Sequence, residues 1–408
     1  MSRKTLFLTS AAVVLVAIII LSASIPAVRS ELEWRLDRAA GIVRGWFYPG
    51  DTIPVPVFAE ESLHSTPSLP TPVPEDTPEA ETTAVDPAPS PTPLPETVFL
   101  PEPEWEKQDW NNCGPAVLSM GLRYYGWEGD QYDISDYNKP DRADKNVNIT
   151  ELIYYVKNFA GWLDADYRVG GTPDTLRGFL AAGYPVIIEV SNNILEGGGG
   201  WAAHYLLVTG YDDADQEFHV LNSYMRHENV LTHAELEEQW RPFNYLYMVL
   251  YPPEERDTIE ELMGADADRE QNRLNALARA DAWIAEDPED SYAWFNRGTN
   301  LTALERYEEA SDAYDRALQL GLPWRFMRYQ FGPYLAYFNS GRFEDVLELA
   351  DLTLQRTPNS EEALLWRGWA RYQLGDTNAA AADFRAAHDL NPSYQDAIYA
   401  LEFMGLLP

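Results

Sequence analysis

The single cysteine of this 408-residue chain, Cys113, lies where a thiol is readily activated. It is followed by Gly114 and Pro115, and proline is favoured in a first helical turn. Apolar residues then recur at helical spacing, so Cys113 is predicted at or just before a helix N-terminus. Backbone N–H groups and the helix dipole favour a thiolate there, with a pKa well below the ~8.5 of a free cysteine. The alternative is a small buried hydrophobic side chain.

Such a thiol needs an oxyanion donor and a base. Gln108 lies five residues upstream and can aim its side-chain amide at an oxyanion formed beside the sulfur. Among the six histidines, His204 is the predicted base, because it follows a glycine run at 197–200 and precedes an apolar stretch typical of a buried strand. His64 lies in a proline-rich stretch and His388 in a helical repeat, which makes both poor candidates.

The strand after His204 is predicted to form a hairpin with residues 218–224. A turn centred on Asp213 would place His204 directly opposite Asn222, with Cβ atoms roughly 5 Å apart on one face. The amide oxygen of Asn222 would then hold one ring nitrogen and leave the other free for the thiol. His219 falls on the opposite face by alternation. The alternative is a polar strand end whose His and Asn are merely exposed.

These segments carry a family resemblance. The chain contains Gln-x4-Cys-Gly-Pro, then His-Tyr-Leu-Leu-Val-Thr-Gly-Tyr-Asp, then Leu-Asn-Ser-Tyr. Together these motifs resemble those of the papain-like cysteine peptidases of family thirty-nine, which include the bacteriocin-leader (double-glycine) peptidases. The resemblance spans roughly residues 104–253 and implies an α+β fold. It implies that Cys113 attacks and His204 is the base. It also implies that Asn222 orients the base and Gln108 helps form the oxyanion hole. Bacteriocin-processing members usually have Asp at the orienting position, whereas Asn-Ser-Tyr is more similar to the Asn-Ser-Trp of papain.

Composition restricts the class of partner. The net charge is −35, from 65 acidic and 30 basic residues. This argues against a nucleic-acid partner, because phosphates require a basic surface. The chain length is typical of two or three domains, and an aromatic content of 13% supplies material for real cores.

The N-terminus predicts a membrane anchor at residues 1–30. Residues 5–23 carry no charge, and nineteen such residues are enough to span a bilayer. Arg3 and Lys4 precede this run and should stay cytoplasmic, which places the catalytic and repeat domains of a single-pass protein outside the cell membrane. The alternative is a cleaved signal peptide and a secreted protein.

Residues 31–104 are predicted to be a juxtamembrane segment followed by a proline- and acid-rich linker. Residues 51–104 contain fourteen of the 29 prolines and eleven acidic residues, with no lysine or arginine. Such a stretch cannot build a core, so it is predicted to be an extended spacer.

From residue 254 onward the pattern is helical and repeats every 34 residues. Gly341 and Gly375 are separated by this interval, as are Pro358 and Pro392. The pattern resembles the tetratricopeptide repeat, in which small residues lie where paired helices cross, and it implies a concave surface for a protein or peptide partner. The predicted units are 291–324, 327–360 and 361–394, with a degenerate unit at 257–290 and a capping helix at 395–407.

The predicted architecture is therefore a signal-anchor at 1–30, a linker at 31–104, a papain-like α+β domain at 105–253 and an all-α tetratricopeptide-repeat solenoid at 254–408. Because the catalytic motifs end before Pro253, the papain-like domain is expected to fold without the repeats. The predicted function is a membrane-anchored, extracytoplasmic cysteine peptidase that acts on a peptide or protein substrate without a metal or cofactor. Two alternatives remain: a catalytically silent scaffold, and an acyltransferase or transglutaminase-like enzyme built on the same residues.

Overall fold

The computed structural model describes Ile53 and residues 93–144, 146–195, 200–224 and 230–407. The predicted anchor and most of the predicted linker lie outside these residues. Among the helices of the described ranges, none is both long and apolar enough to cross a membrane.

An antiparallel sheet forms the centre of the N-terminal half. Within the described ranges its strands are β1 (Thr97–Phe99), β2 (Asp164–Arg168), β3 (Val186–Leu195), β4 (Gly200–Asp212), β5 (Glu217–Leu221), β6 (Val230–Thr232) and β7 (Tyr247–Tyr251). Their spatial order is β2-β7-β3-β4-β5-β6, and β1 pairs with the last residues of β4. The long strand β4 is therefore central, with neighbours along both of its edges.

Helices cover both faces of this sheet. They are α1 (Cys113–Tyr124), α2 (Gln131–Asn138), α3 (Ile149–Phe159), α4 (Pro173–Ala181) and α5 (His233–Trp240). Ile187, Tyr205 and Leu207 pack into the core formed with α1–α3, whereas their neighbours Ile188 and Leu206 pack into the core formed with α4 and α5. This alternation is the two-residue period of a strand with apolar side chains on both faces. The sheet with its covering helices has the predicted α+β architecture.

The C-terminal half is helical and consists largely of antiparallel pairs. In the described chain these helices are α6 (Arg256–Met263), α7 (Arg269–Glu286), α8 (Ser291–Ala303), α9 (Tyr307–Leu320), α10 (Gly332–Asn339), α11 (Phe343–Arg356), α12 (Glu361–Gln373), α13 (Thr377–Leu390) and α14 (Gln395–Phe403). The pairs α8–α9, α10–α11 and α12–α13 fall within the three predicted units, and α14 lies where the capping helix was predicted.

The middle unit departs from the predicted pattern. It was predicted to begin at Met327, but a 3-10 turn occupies Trp324–Arg328 and α10 begins only at Gly332. Pro333 explains the late start, because proline lacks an N–H and is accepted only in the first turn of a helix. The first helix of this unit is therefore short, and an irregular segment precedes it.

The two halves interlock beyond the predicted boundary at Pro253. The side chain of Asn272 in α7 accepts the backbone N–H of Val169 at 3.1 Å and donates to the carbonyl of Val169 at 2.8 Å. Arg168 is buried and donates to the carbonyls of Asp266 and Ala267, both at 2.6 Å. Residues after 253 thus complete hydrogen bonds at the end of β2, so the expectation that the first domain is self-contained does not agree with the packing.

A second contact joins the catalytic strand to the repeats. The ring of Trp201 in β4 lies 5.0 Å from that of Phe326 and 6.0 Å from that of Tyr329, both in the irregular segment before α10. The guanidinium of Arg325 also donates to the carbonyl of Trp201 at 3.3 Å. The irregular segment therefore packs beside the strand that carries His204.

Candidate active site

Cys113 is the first residue of α1, as the sequence predicted. The loop before it is held by Gln131 of α2, whose side-chain oxygen accepts the backbone N–H of Asp109 at 2.6 Å and the side-chain amide of Asn112 at 2.9 Å. The Gln131 amide in turn donates to the carboxylate of Glu106 at 2.8 Å. This buried glutamine fixes the turn that presents the sulfur. Sequence reasoning missed it, because a polar residue on a helix carries no local sign of such partners.

The thiol of Cys113 is neutral in this arrangement. Burial raises the pKa of Cys113 to about 11, and the nearby carboxyl of Glu189 raises it as well. The backbone N–H groups of Tyr205 and Gly114 and the ammonium of Lys139 lower this pKa only part-way. The expected pKa below that of a free cysteine is therefore wrong for this arrangement, because desolvation outweighs the helix N-terminus.

His204 and Asn222 are brought together. Nε2 of His204 lies 2.9 Å from Oδ1 of Asn222. The same Oδ1 accepts the backbone N–H of Tyr224 at 2.9 Å, so this atom is an acceptor and His204 must carry its proton on Nε2. A neutral imidazole with that tautomer has a lone pair on Nδ1, which is what a general base requires.

The strand pairing that joins them differs from the predicted register. Leu207 faces Leu221, two residues away from the expected pairing, and an irregularity follows at Val208–Gly210. Strand β5 ends at Leu221, just before Asn222. Direct opposition of His204 and Asn222 was therefore wrong. A two-residue offset keeps side chains on the same face, so the pair meets as diagonal neighbours within side-chain reach.

The imidazole of His204 is also neutral. Its side chain is 1% exposed, and burial lowers the pKa of His204 to about 4, although the hydrogen bond with Asn222 opposes this. Among the described residues no hydrogen bond joins the His204 ring to the sulfur of Cys113; the backbone N–H of Tyr205, the next residue in the chain, lies at the sulfur instead. Without substrate, catalytic contacts are often long and tighten on binding.

Gln108 is positioned by Ser223. The backbone N–H of Gln108 donates to the carbonyl of Ser223, and the Ser223 hydroxyl donates to Oε1 of Gln108, both at 2.9 Å. Because Oε1 is occupied, Nε2 remains as the donor that an oxyanion requires. The indole of Trp105 donates to the carbonyl of Asn222 at 2.9 Å, which fixes the same two segments together. Ser223 stands in the quoted Asn-Ser-Tyr motif, but sequence reasoning did not give it a role.

Two other residues near the sulfur were missed. Glu189 directly faces Tyr205 across β3 and β4, and burial raises the pKa of its carboxyl to about 8. Tyr329 comes from the repeat half, where burial raises the pKa of its hydroxyl and Cys113 is close enough to raise it further. The backbone N–H of Ala203 donates to that hydroxyl. A buried acid inside a strand and a distant tyrosine give no motif that could be found in the sequence.

The arrangement offers a thiol, a neutral imidazole base and an oriented amide donor. These groups suit nucleophilic attack on a carbonyl carbon followed by proton transfer to a leaving group. Within the described ranges, no group of three or more His, Cys, Asp or Glu side chains is placed to hold a metal ion.

Comparison with known families agrees with this description. Residues 100–248 match the model of the Peptidase_C39 like family, and residues 291–321 and 361–394 match models of the tetratricopeptide repeat. The chain carries a C39-like peptidase domain followed by two tetratricopeptide repeats. The resemblance stated from the sequence is thereby confirmed. The middle unit, with its short α10, lies between the two repeat matches.

Two solved structures are weakly similar to parts of this chain. A protein described as a C39-like peptidase from Bacillus anthracis is 15% identical, covers 38% of this chain and 97% of its own, and gives a TM-score of 0.30. MamA from Desulfovibrio magneticus RS-1 is 16% identical, covers 37% of this chain and 94% of its own, and gives a TM-score of 0.29. The comparison with curated proteins found no match.

Proposed function

We propose that the C39-like domain is a cysteine peptidase that hydrolyses peptide bonds through Cys113, His204 and Asn222. The observation that carries the proposal is the hydrogen bond between His204 and Asn222. Because Oδ1 of Asn222 is the acceptor, the proton of His204 is on Nε2, and Nδ1 of His204 keeps its lone pair. The next residue, Tyr205, contacts the sulfur of Cys113 through its backbone N–H, so the base lies on the strand that reaches the thiol.

In the proposed reaction the sulfur of Cys113 attacks the carbonyl carbon of the peptide. Moving a proton from a thiol of pKa about 11 to an imidazole of pKa about 4 costs on the order of 10 kcal/mol before the attraction of the two charges is counted. A resting ion pair is therefore unfavourable in this arrangement. Proton transfer to His204 accompanies attack when the substrate is bound.

The later steps use the same groups. Nε2 of Gln108 and the backbone N–H of Cys113, at the start of α1, donate to the oxyanion. His204 returns the proton to the leaving amine as the C–N bond breaks, which leaves a thioester on Cys113. Water then adds to the thioester with His204 as base, and the thiol leaves with the proton.

Turnover is the decisive test. The chain and its Cys113→Ala, His204→Ala and Asn222→Ala variants are incubated in H₂¹⁸O with a blocked peptide library, and new termini are identified by mass spectrometry. We expect one ¹⁸O in each new carboxyl terminus, no products from Cys113→Ala or His204→Ala, and reduced turnover from Asn222→Ala.

Ser223→Ala should lower kcat, because Ser223 holds Oε1 of Gln108. Near-UV circular dichroism of this variant should show an unchanged tertiary fold.

The alternatives give different results. An acyltransferase would give new amide bonds to added amines rather than ¹⁸O-labelled carboxyl termini. A silent scaffold would give no Cys113-dependent products. Either outcome would refute the proposed hydrolysis.

We also propose that the protein is tethered to a membrane and faces outward. The support is the uncharged run at residues 5–23 with Arg3 and Lys4 before it. Protease added to intact cells should release a fragment containing the C39-like domain and the repeats by cutting between residues 51 and 104, while a cytosolic marker stays intact. Protection of that fragment until the cells are lysed would contradict the orientation.

The tetratricopeptide repeats suggest a protein–protein interaction. We propose that they present peptide or protein partners to the C39-like domain. The packing of Trp201 in β4 against Phe326 supports this, because it brings the repeats next to the catalytic strand.

A further inference from the structure

A cavity of about 610 Å³ lies at the seam between the C39-like domain and the repeats. One wall comes from the end of α2 and the start of α3, and the other from α10, α12 and α14. The side chain of Asn391 donates to the carbonyl of Asn138 at 3.3 Å, which joins the two walls directly. We call this space the seam cavity. Its volume is typical of ligand sites.

Aromatic rings from both halves line the seam cavity. They are Tyr137, Tyr154 and Tyr167 on the domain side and Phe331, Trp366 and Tyr394 on the repeat side. The rings of Tyr137 and Tyr154 stack with centroids 5.9 Å apart. Aromatic faces carry negative partial charge, so a ring-lined space of this kind attracts cations.

Carboxylates accompany the rings. Glu151, Glu362 and Asp396 line the seam cavity, and Glu361 lies beside it behind Asn391. Glu362 is 7% exposed, and the only side chain that donates to it among the described residues is Ser360, at 3.2 Å. Oε2 of Glu361 is buried without a hydrogen-bond partner in the described chain.

Helix capping accounts for only part of this negative charge. Glu151 lies in the first turn of α3, Glu361 and Glu362 in that of α12, and Asp396 in that of α14. A helix N-terminus is equivalent to about half a positive charge, so three of them offset roughly one and a half of four carboxylates. No lysine or arginine is among the described residues that line the cavity. Burial, together with neighbouring carboxylates, raises the pKa of Glu151 and Glu362, as expected where counterions are missing.

We infer that the seam cavity binds the basic side chain of a polypeptide, lysine or arginine. The aromatic faces supply cation–π contacts, and the carboxyl groups of Glu151 and Glu362 supply oxygen acceptors that ionise when an ammonium or guanidinium group enters. The cavity is larger than one such side chain requires, and one wall belongs to a repeat array of the kind that holds extended polypeptide. This assignment does not depend on Cys113 being a nucleophile.

The test uses the full chain with Cys113→Ala, so that no probe is cleaved. The probes are acetyl-Gly-Lys-Gly-amide, its arginine counterpart and the norleucine analogue, which keeps the carbon chain without the charge. Binding is measured by calorimetry at 0.1 and 0.5 M NaCl. We expect the basic peptides to bind at least tenfold more tightly than the norleucine peptide. The preference should persist at high salt, because buried charges are screened much less than those on the surface of this acidic chain.

Variants locate the site. Glu362→Gln and Asp396→Asn should each weaken binding of the lysine peptide severalfold or more, and Trp366→Leu should do the same. The control is Glu344→Gln on α11, at an exposed position, which should leave binding of the lysine peptide unaltered. Asp396 is exposed, so its variant keeps the test valid even if Glu362→Gln disturbs folding.

Three outcomes would overturn the inference. The first is equal binding of lysine and norleucine peptides. The second is a preference that disappears at 0.5 M NaCl or is insensitive to Asp396→Asn, which would indicate diffuse attraction to the acidic surface. The third is binding of n-butylammonium as tight as that of the lysine peptide, which would make a free amine the ligand instead.

Discussion

Desolvation keeps the thiol of Cys113 and the imidazole of His204 neutral. His204 has its proton fixed on Nε2 by Asn222, Gln108 has its oxygen occupied by Ser223, and the thiol remains protonated. The partners of His204 and Gln108 leave Nδ1 of the histidine and Nε2 of the glutamine unoccupied, whereas the sulfur of Cys113 is contacted by the backbone N–H of Tyr205. The hydrogen bonds of the site are therefore in place before substrate binds, but the charges of a thiolate and an imidazolium are not. The proton must move from Cys113 to His204 after substrate binds.

Glu189 offers a test of this burial. Its pKa is raised to about 8, so between pH 4.5 and 8 the folded chain holds a proton that the unfolded chain has lost. The free energy of unfolding should then fall as pH rises through this window, by up to about 1.4 kcal/mol per pH unit from this group. Glu189→Gln should remove that slope. Chemical denaturation of both proteins at pH 5, 6, 7 and 8 measures it.

The control is Glu217→Gln at the start of β5, where no such burial applies, and its slope should equal that of the unsubstituted chain. Parallel slopes for the Glu189→Gln variant and the unsubstituted protein would show that this carboxyl is already ionised in the fold.

At the scale of elements, two helix crossings repeat the same contact. A Cβ added at Gly298 would lie 2.7 Å from the ring of Tyr314, and one added at Gly368 would lie 2.5 Å from the ring of Phe384. The aromatic residue follows its glycine by sixteen residues in both units. The glycine is required by a close approach of helices, whereas Gly341 and Gly375 have φ of +74° and +90° and serve turns.

Adding a methyl group at these crossings should therefore destabilise the repeats. Gly298→Ala and Gly368→Ala are each expected to lower the free energy of unfolding by roughly 1–3 kcal/mol, because the buried rings cannot withdraw. Gly178→Ala in α4 is the matched control: nothing lies within 4 Å of its added Cβ, so it should stabilise by roughly 0.5–1 kcal/mol. Urea denaturation compares them, and equal effects at all three positions would contradict the assigned crossings.

On the scale of the whole molecule, the C39-like domain and the repeats form a continuous packed structure. Ile259 and Met263 of α6 contribute to one core of the sheet, and Ala276 of α7 contributes to the other. Asn272 completes the hydrogen bonds of Val169. A chain ending at Pro253 lacks all of these contacts.

Truncation tests this coupling. A fragment of residues 93–253 should lose cooperative thermal unfolding, because both backbone groups of Val169 would lose their partner Asn272 and the buried Arg168 would lose the carbonyls of Asp266 and Ala267. A fragment of residues 93–286, which keeps α6 and α7, should retain a cooperative transition at a lower Tm than the full chain. Differential scanning calorimetry decides between them. Equal transitions for 93–253 and 93–286 would show that the domain ends before the repeats begin.

The sequence by itself determined the local features of this protein. A proline two residues after Cys113 marked a helix start, the motifs around His204 and Asn222 indicated the C39-like family, and a 34-residue period indicated the repeats. These features can be recognised from the sequence alone because helix starts, strand alternation and repeat spacing depend on residues that are near one another in the chain.

Only the tertiary structure decided the rest. The register that makes His204 and Asn222 diagonal neighbours depends on how a hairpin closes, and a two-residue offset leaves the alternation pattern unchanged. The raised pKa of Cys113 depends on burial by distant parts of the chain, which a local helix argument cannot measure. The seam cavity and the approach of Tyr329 to the sulfur come from packing two halves that carry no shared motif. Burial and long-range contacts are properties of the folded chain, so they became visible only there.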